Sequence, residues 1–187
     1  AIDDNSHGTH CAGIIGAEKN GVGSVGISPK VRIMPLKFLN AQGSGDTFAA
    51  IGAINYAVAM GARVISNSWG GGGYSSYLDQ AIQNAVAHGV TVVAAAGNNS
   101  ADNDTQVTYP AGYANVISVA SSDMADGLSY FSNYGTHSVM LAAPGTQILS
   151  SVPGARWAEY SGTSMATPQV AGAIALGLSL KPTATVG

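Results

Sequence analysis

Three residues far apart in the sequence could act together as base, anion-binding group and nucleophile: His7, Asn98 and Ser164. His7 stands in the run His7-Gly8-Thr9-His10-Cys11-Ala12-Gly13, which opens a helix-like stretch. An imidazole that titrates near neutrality suits a group that must take a proton and later return it. Ser164 follows Gly162-Thr163 and precedes Met165-Ala166-Thr167-Pro168, at the start of a final helix expected to run to about Leu180. A residue there meets free backbone N–H groups and the positive end of the helix dipole, so the Ser164 N–H can hold a developing negative charge. Asn98 ends the run Ala94-Ala95-Ala96-Gly97-Asn98, where a Gly-Asn turn past a buried strand offers a second, side-chain donor. A hydroxyl nucleophile, a base and paired oxyanion donors are what acyl transfer from a peptide requires.

Each residue also has a plainer use. His7 could cap a helix or sit in the core, Ser164 could be a simple N-cap, and Asn98 could merely favour the left-handed turn after Gly97. His7, His10 and Cys11 could be read as a zinc cluster, but no HExxH pattern or second ligand pair accompanies them. His10 is expected to be structural and hydrogen-bonded, and Cys11 a buried small hydrophobe.

The elements that must position these groups alternate. Val31–Leu36, Ala62–Ser66, Val90–Ala94 and Val116–Ala120 are near-continuous apolar runs, the pattern of strands covered on both faces. Between them lie two helical stretches, Thr47–Met60 and Ser75–His88; Asp46 or Thr47 is the candidate cap of the first, and Leu78, Ile82, Ala85 and Val86 recur at helical spacing in the second. The rhythm predicts an α/β fold, a three-layer αβα sandwich around a mainly parallel sheet. The glycine-rich stretches at 43–45, 70–73 and 97–104 fall at strand ends, where open α/β sheets place ligands.

Composition narrows the classes. Of 187 residues, 46% are hydrophobic and only 9% charged, against an average charged fraction of roughly 25%. Such a chain has much to bury and little self-repulsion, which excludes disorder and fits one domain. A net charge of −3 leaves no basic footprint for nucleic acid and no polybasic patch for a membrane surface. One cysteine excludes an internal disulfide, and the apolar run Val170–Leu180 is shorter than a bilayer span of about 20 residues.

The three boxes around His7, Asn98 and Ser164 resemble the histidine, oxyanion-asparagine and serine boxes of the subtilisin-like serine protease (subtilase) family, in the family's order. The resemblance extends to Ser68-Trp69-Gly70-Gly71 and Ala143-Pro144-Gly145, and Cys11 beside the histidine box is similar to the thermitase and proteinase K branches. It implies a serine endopeptidase with His7 as general base, Ser164 as nucleophile and Asn98 with the Ser164 N–H as oxyanion hole, needing no cofactor for catalysis. It implies further that Gly43-Ser44-Gly45 matches an edge strand pairing with extended substrate, that Ser68-Trp69-Gly70 forms the opposite wall, and that Ala95-Ala96-Gly97 lines the primary specificity pocket. Thr108 stands where relatives often carry glycine, so a shallow pocket with a broad apolar preference is expected. The turn from Glu18 to Ser24 resembles a calcium loop in which the Asn20 side chain and the carbonyls of Glu18, Val22 and Ser24 would be ligands of a structural calcium ion, four of the six to eight oxygens calcium takes.

The family's aspartate box does not precede His7; Asp3 and Asp4 are expected on the loop entering the histidine helix instead. Residues 1–187 are therefore expected to be a partial catalytic domain without the aspartate-bearing strand and the C-terminal end, impaired when isolated. Loss of that aspartate costs roughly 10⁴ in kcat in subtilisin, a figure that belongs to that enzyme and not to this chain. Polypeptide substrates, a propeptide in the full-length precursor, a monomeric state and secretion or cell-surface location complete what the resemblance implies, with no nucleic acid and no membrane partner. A non-catalytic binder of extended peptides is the alternative.

Overall fold

The computed structural model describes residues 2–184. In chain order the elements are α1 (His7–Gly16), α2 (Thr47–Ala59), β1 (Val64–Asn67), α3 (Ser76–Ala87), β2 (Thr91–Ala95), β3 (Val116–Ser122), β4 (Leu141–Pro144), β5 (Ile148–Val152), β6 (Arg156–Tyr160) and α4 (Thr163–Leu180). The first four strands form an all-parallel sheet in the order β1-β2-β3-β4, and β5 and β6 form an antiparallel hairpin.

Strand alternation divides the core between the two faces of the sheet. Val92, Ala94 and Val116 pack with Ile54, Leu78, Ile82 and Ala85 of α2 and α3, whereas Val93, Ile117, Val119 and Ala143 pack with Ala166 and Ala171 of α4. Both faces being covered, the strands need apolar residues at every position, and the expected α/β sandwich follows. Ile82 is fully buried; truncating such a residue to alanine typically costs about 2–5 kcal/mol.

Local chemistry sets the helix ends. The Asp46 carboxylate accepts from Ala49 N–H at 2.8 Å and Ser75 Oγ from Leu78 N–H at 3.4 Å, each meeting a first-turn donor of α2 or α3. At α1 the collar is Asp3, whose carboxylate accepts from the N–H groups of Asn5, Ser6 and Thr9 and from Thr9 Oγ1 at 2.6–3.0 Å. Partial burial raises the Asp3 pKa, but the hydrogen bonds from Thr9, Asn5 and Ser6 outweigh it and hold the value at about 2. Asp4 pairs with Lys37 at 2.6 Å. Both acids thus sit on the approach to α1, as the sequence suggests. Behind α1, a Cβ on Gly13 would collide with the hydroxyls of Ser150 and Ser151, so glycine there lets β5 lie against the helix. Ser150 Oγ then donates to His10 O at 2.8 Å.

One predicted strand is absent. Val31–Leu36 runs without a ladder, and Ile33 and Met34 are 41% and 38% exposed. Apolar β-rich composition makes a strand only when a neighbour offers its backbone, and among the described residues none does; Pro35 also lacks an N–H. β1 and β4 are the sheet's two edges. The short strand β4 and the β5–β6 hairpin are elements the apolar-run reading did not find.

Candidate active site

Parallel strands deliver their C-terminal ends to one rim, and the site residues collect there. β1 ends at Asn67 and runs directly into Ser68-Trp69-Gly70; β2 ends at Ala95 and runs into Ala96-Gly97-Asn98. α4 begins beside them, and α1 packs along α4.

Asn98 is held by its oxygen. Its Oδ1 accepts from Thr163 N–H at 2.8 Å and from Thr163 Oγ1 at 2.9 Å, and Gly97 N–H donates back to Thr163 Oγ1 at 3.2 Å. With Oδ1 committed to the first residue of α4, the amide nitrogen is turned outward as a donor. A Cβ built on Gly162 would lie 3.6 Å from both Asn98 Nδ2 and Ser164 N, so these two donors flank one small space that glycine keeps empty. Two N–H donors around a gap at a helix N-terminus can bind an oxyanion.

The loop carrying Asn98 is tied down by buried amides. Asn133, 1% exposed, accepts through Oδ1 from Asn99 N–H at 2.8 Å and Ala101 N–H at 3.2 Å. Its Nδ2 donates to Asn103 Oδ1 at 2.9 Å and to Thr108 Oγ1 at 3.4 Å, and its own N–H to Gly97 O at 2.9 Å. Asn103 Nδ2 in turn donates to Ala96 O at 2.8 Å. Gly97 has φ 115°, and a Cβ there would lie 2.5 Å from Asn133 Nδ2, so neither its backbone nor its surroundings admit a side chain. Sequence reasoning missed Asn133 and Asn103 as parts of this assembly; no local pattern marks an amide whose partners lie about thirty residues away.

Ser164 and Ser68 exchange hydrogen bonds: Ser164 Oγ donates to Ser68 O at 3.1 Å, and Ser68 Oγ donates to Ser164 O at 2.8 Å. The nucleophile hydroxyl therefore rests on the wall strand's carbonyl, and no hydrogen bond joins it to His7 in this arrangement. His7 Nδ1 faces Cys11 Sγ at 4.0 Å, and that thiol lies 3.4 Å from the Ser164 backbone oxygen, so Cys11 sits between the imidazole and the backbone of the nucleophile residue. Burial lowers the His7 pKa, the neighbouring His10 lowers it further, and the Asp3 charge opposes both. The ring is thus neutral at neutral pH and free to accept a proton. Among the described residues no carboxylate bonds to it. Burial pushes the Cys11 thiol up to about 11, against a hydrogen bond with Ser68, so it is an uncharged group and no competing nucleophile.

The remaining expected residues fall as follows. His10 is buried, donates through Nε2–H to Ala158 O at 3.0 Å and stacks on Tyr160 at 4.3 Å, a structural role. With His10 committed there, His7, His10 and Cys11 do not converge on a metal. Ser68-Trp69-Gly70 leads into the segment of Thr108 and Tyr109, since Gly71 N–H donates to Tyr109 O at 3.1 Å and a Cβ on Gly70 would lie 3.7 Å from the Thr108 methyl; Ala95 and Ala96, at and just past the end of β2, are buried. Gly43-Ser44-Gly45 is not a strand. Asn40 closes a turn there, its Oδ1 accepting from Gln42 and Ser44 N–H at 3.0 Å, while Ser44 O accepts from Asn40 N–H. Both backbone groups of Ser44 are used internally, which leaves Gly45 as the residue of that stretch with free pairing groups.

The turn from Glu18 to Ser24 brings few ligands. Asn20 Oδ1 is taken by Val22 N–H at 3.0 Å, Glu18 O by Asn20 N–H at 3.0 Å, and Ser24 Oγ is buried without a partner. Four oxygens make at most half a calcium shell, and the described residues contain no cluster of three or more acidic, histidine or cysteine side chains. The turn on its own does not fit the ion.

Fold and site together define a member of the subtilases: a profile of the subtilase family matches residues 1–186, and the chain belongs to that family. It is 49% identical over 173 residues to thermitase of Thermoactinomyces vulgaris, covering 92% of this chain and 61% of that protein. It is 41% identical over 174 residues to subtilisin Savinase of Lederbergia lenta (93% and 63%), and 45% identical over 176 residues to an intracellular serine protease of Paenibacillus polymyxa (93% and 54%). A solved cold adapted subtilisin-like serine proteinase superposes with a TM-score of 0.88 at 38% identity, over 97% of this chain and 64% of that one. The chain thus spans between 45% and 66% of the length of these and similar relatives.

Proposed function

We propose that this chain carries the base, nucleophile and oxyanion hole of a serine endopeptidase that cleaves internal peptide bonds through an acyl-enzyme. The observation that carries the reading is the pair of donors, Asn98 Nδ2 and Ser164 N, flanking one gap at the start of α4 in a subtilase fold. Ser164 Oγ leaves Ser68 O by rotation about its side chain and gives its proton to neutral His7 as it attacks the substrate carbonyl. The carbonyl oxygen becomes an oxyanion between the two donors. His7 then protonates the leaving amine, and water, activated by the same ring, releases the acyl group. An extended polypeptide lies between Gly45 and the Ser68–Gly70 wall, with its side chain toward Ala95, Ala96 and the Thr108 methyl. That lining is apolar and carries no acid, which favours apolar side chains over Arg or Lys.

A fluorophosphonate probe tests the reading. Stoichiometric phosphonylation at Ser164, absent in Ser164→Ala, is expected; no labelling in folded protein would favour a peptide binder without turnover. Resting contact of Ser164 Oγ with Ser68 O, instead of His7, is the one observation that speaks for that second reading. If the Glu18–Ser24 turn takes calcium, the other ligands come from outside it, and added calcium should leave the melting temperature of this chain unchanged. No helix among the described residues is long and apolar enough to cross a membrane. Secretion, a monomeric state and a propeptide partner remain part of the proposal by resemblance; one relative is by its name intracellular.

A further inference from the structure

In an α-helix the carbonyl of residue i is met by the N–H of residue i+4. For Ser164 that residue is Pro168, fully buried inside α4, which has no N–H to give. The carbonyl is met all the same: Ser68 Oγ donates to it at 2.8 Å, and Cys11 Sγ approaches it at 3.4 Å. The preceding carbonyl is treated differently, since Thr167 Oγ1 folds back onto Thr163 O at 2.8 Å within the helix. Only at Ser164 is a helix carbonyl in this turn handed to other elements, to the segment after β1 and to α1.

We infer that Ser68 is a positioning residue: its hydroxyl supplies the hydrogen bond that Pro168 withholds from the Ser164 carbonyl, and so fixes the peptide that presents the nucleophile and its oxyanion N–H. The inference rests on the peptidase reading of Ser164. A hydroxyl at 2.8 Å is a full-strength donor and a thiol a weak one, so Ser68 carries the larger share and Cys11 the smaller. Because the Cys11 thiol is protonated at neutral pH, it too can only donate here. Had residue 168 an N–H, the first turn of α4 would close on itself whatever its neighbours did. With proline there, the turn is completed only when the wall segment and the helix of the base are both docked. Nucleophile geometry is thereby made conditional on the elements it must work with.

The test is a four-member cycle in residues 1–187: parent, Ser68→Ala, Pro168→Ala and the double variant, with Ser68→Thr as the version that keeps a hydroxyl. The measured quantities are the second-order rate of fluorophosphonate labelling at Ser164 and the melting temperature. Ser68→Ala should slow labelling roughly tenfold in the parent, the scale of leaving one buried acceptor unmatched. In the Pro168→Ala background, where an intrahelical N–H is restored, the same change should slow it less than about twofold, and Ser68→Thr should stay near the parent. Equal losses in the two backgrounds would overturn the inference, because Ser68 would then act on something other than the missing bond. Absence of labelling in all five proteins while they remain folded would instead sink the peptidase reading. The melting temperatures would then decide the hydrogen bond alone, with coupling between positions 68 and 168 supporting it and additivity overturning it.

Discussion

Replacing Asn133 by alanine removes four side-chain hydrogen bonds at one stroke and leaves the one from its backbone N–H to Gly97 O. Asn99 N–H and Ala101 N–H lose their only acceptor, while Asn103 Oδ1 keeps Thr108 Oγ1 at 3.2 Å and Thr108 keeps Asn103. Two amides are therefore orphaned, at about 1–3 kcal/mol each when buried. Asn99 is exposed and Ala101 half-buried, and the space left by the amide group can admit one water that returns part of the loss. The balance is a loss of about 2–3 kcal/mol, the lower end of the range of about 2–6 kcal/mol for two fully buried orphans. At roughly 2–4 °C per kcal/mol for a chain of this size, the melting temperature should fall by about 4–12 °C. Urea unfolding followed by circular dichroism measures the first figure and calorimetry the second. Labelling at Ser164 should slow as well, because the freed loop carries Asn98. A stability change below about 0.5 kcal/mol, the scale of an ordinary surface substitution, would refute the view that this buried amide holds the loop.

Gly162→Ala should leave folding within about 0.5 kcal/mol of the parent, since its Cβ meets only ordinary contacts, yet it should abolish labelling by filling the gap between Asn98 Nδ2 and Ser164 N; undiminished labelling would place the oxyanion elsewhere. The labelling rate should rise with pH through a midpoint below 6.5, because burial holds the His7 pKa down and only the neutral ring accepts the proton; a midpoint at or above 6.5 would contradict this. Asp3 has a folded pKa of about 2 against an ordinary 3.8, so its contribution to stability is present above pH 3.8 and is lost as pH falls toward 2. Asp3→Asn should flatten the dependence of melting temperature on pH across that window, and an unchanged slope would mean the collar at α1 does not count.

The sheet was legible wherever burial on both faces forced continuous apolar runs, as at Thr91–Ala95 and Val116–Ser122. The same rule misread Val31–Leu36, because a strand is a property of a pair and composition speaks for one member only. Leu141–Pro144 is too short to stand out, and the β5–β6 hairpin mixes polar and apolar residues with neither a continuous apolar run nor a regular alternation; its Pro153-Gly154 turn was the signal that could have revealed it. At the site, His7, Asn98 and Ser164 could be read from local boxes, since each needs a particular helix start or strand end. What could not be read is how they are held. Asn133 and Asn103 act across the fold through buried amides, and Ser68 meets Ser164 across 96 residues of chain. Pro168, four residues past Ser164, was nonetheless a legible hint that one carbonyl would need a partner from elsewhere.

The open rim of β1 has a practical consequence for anyone handling this polypeptide. Its outward N–H and C=O groups lie in a molecule whose ladderless ribbon, Val31 to Phe38, shows Ile33 and Met34 to water. Two such surfaces invite self-association during refolding and concentration, because an unpaired edge templates another copy. Arg32, Pro35 and Lys37 interrupt the ribbon with charge and a missing donor, and they are natural gatekeepers against fibrils. Light scattering that grows with protein concentration, and that worsens when Pro35 or Lys37 is replaced by valine, would be the colloidal signature of that edge.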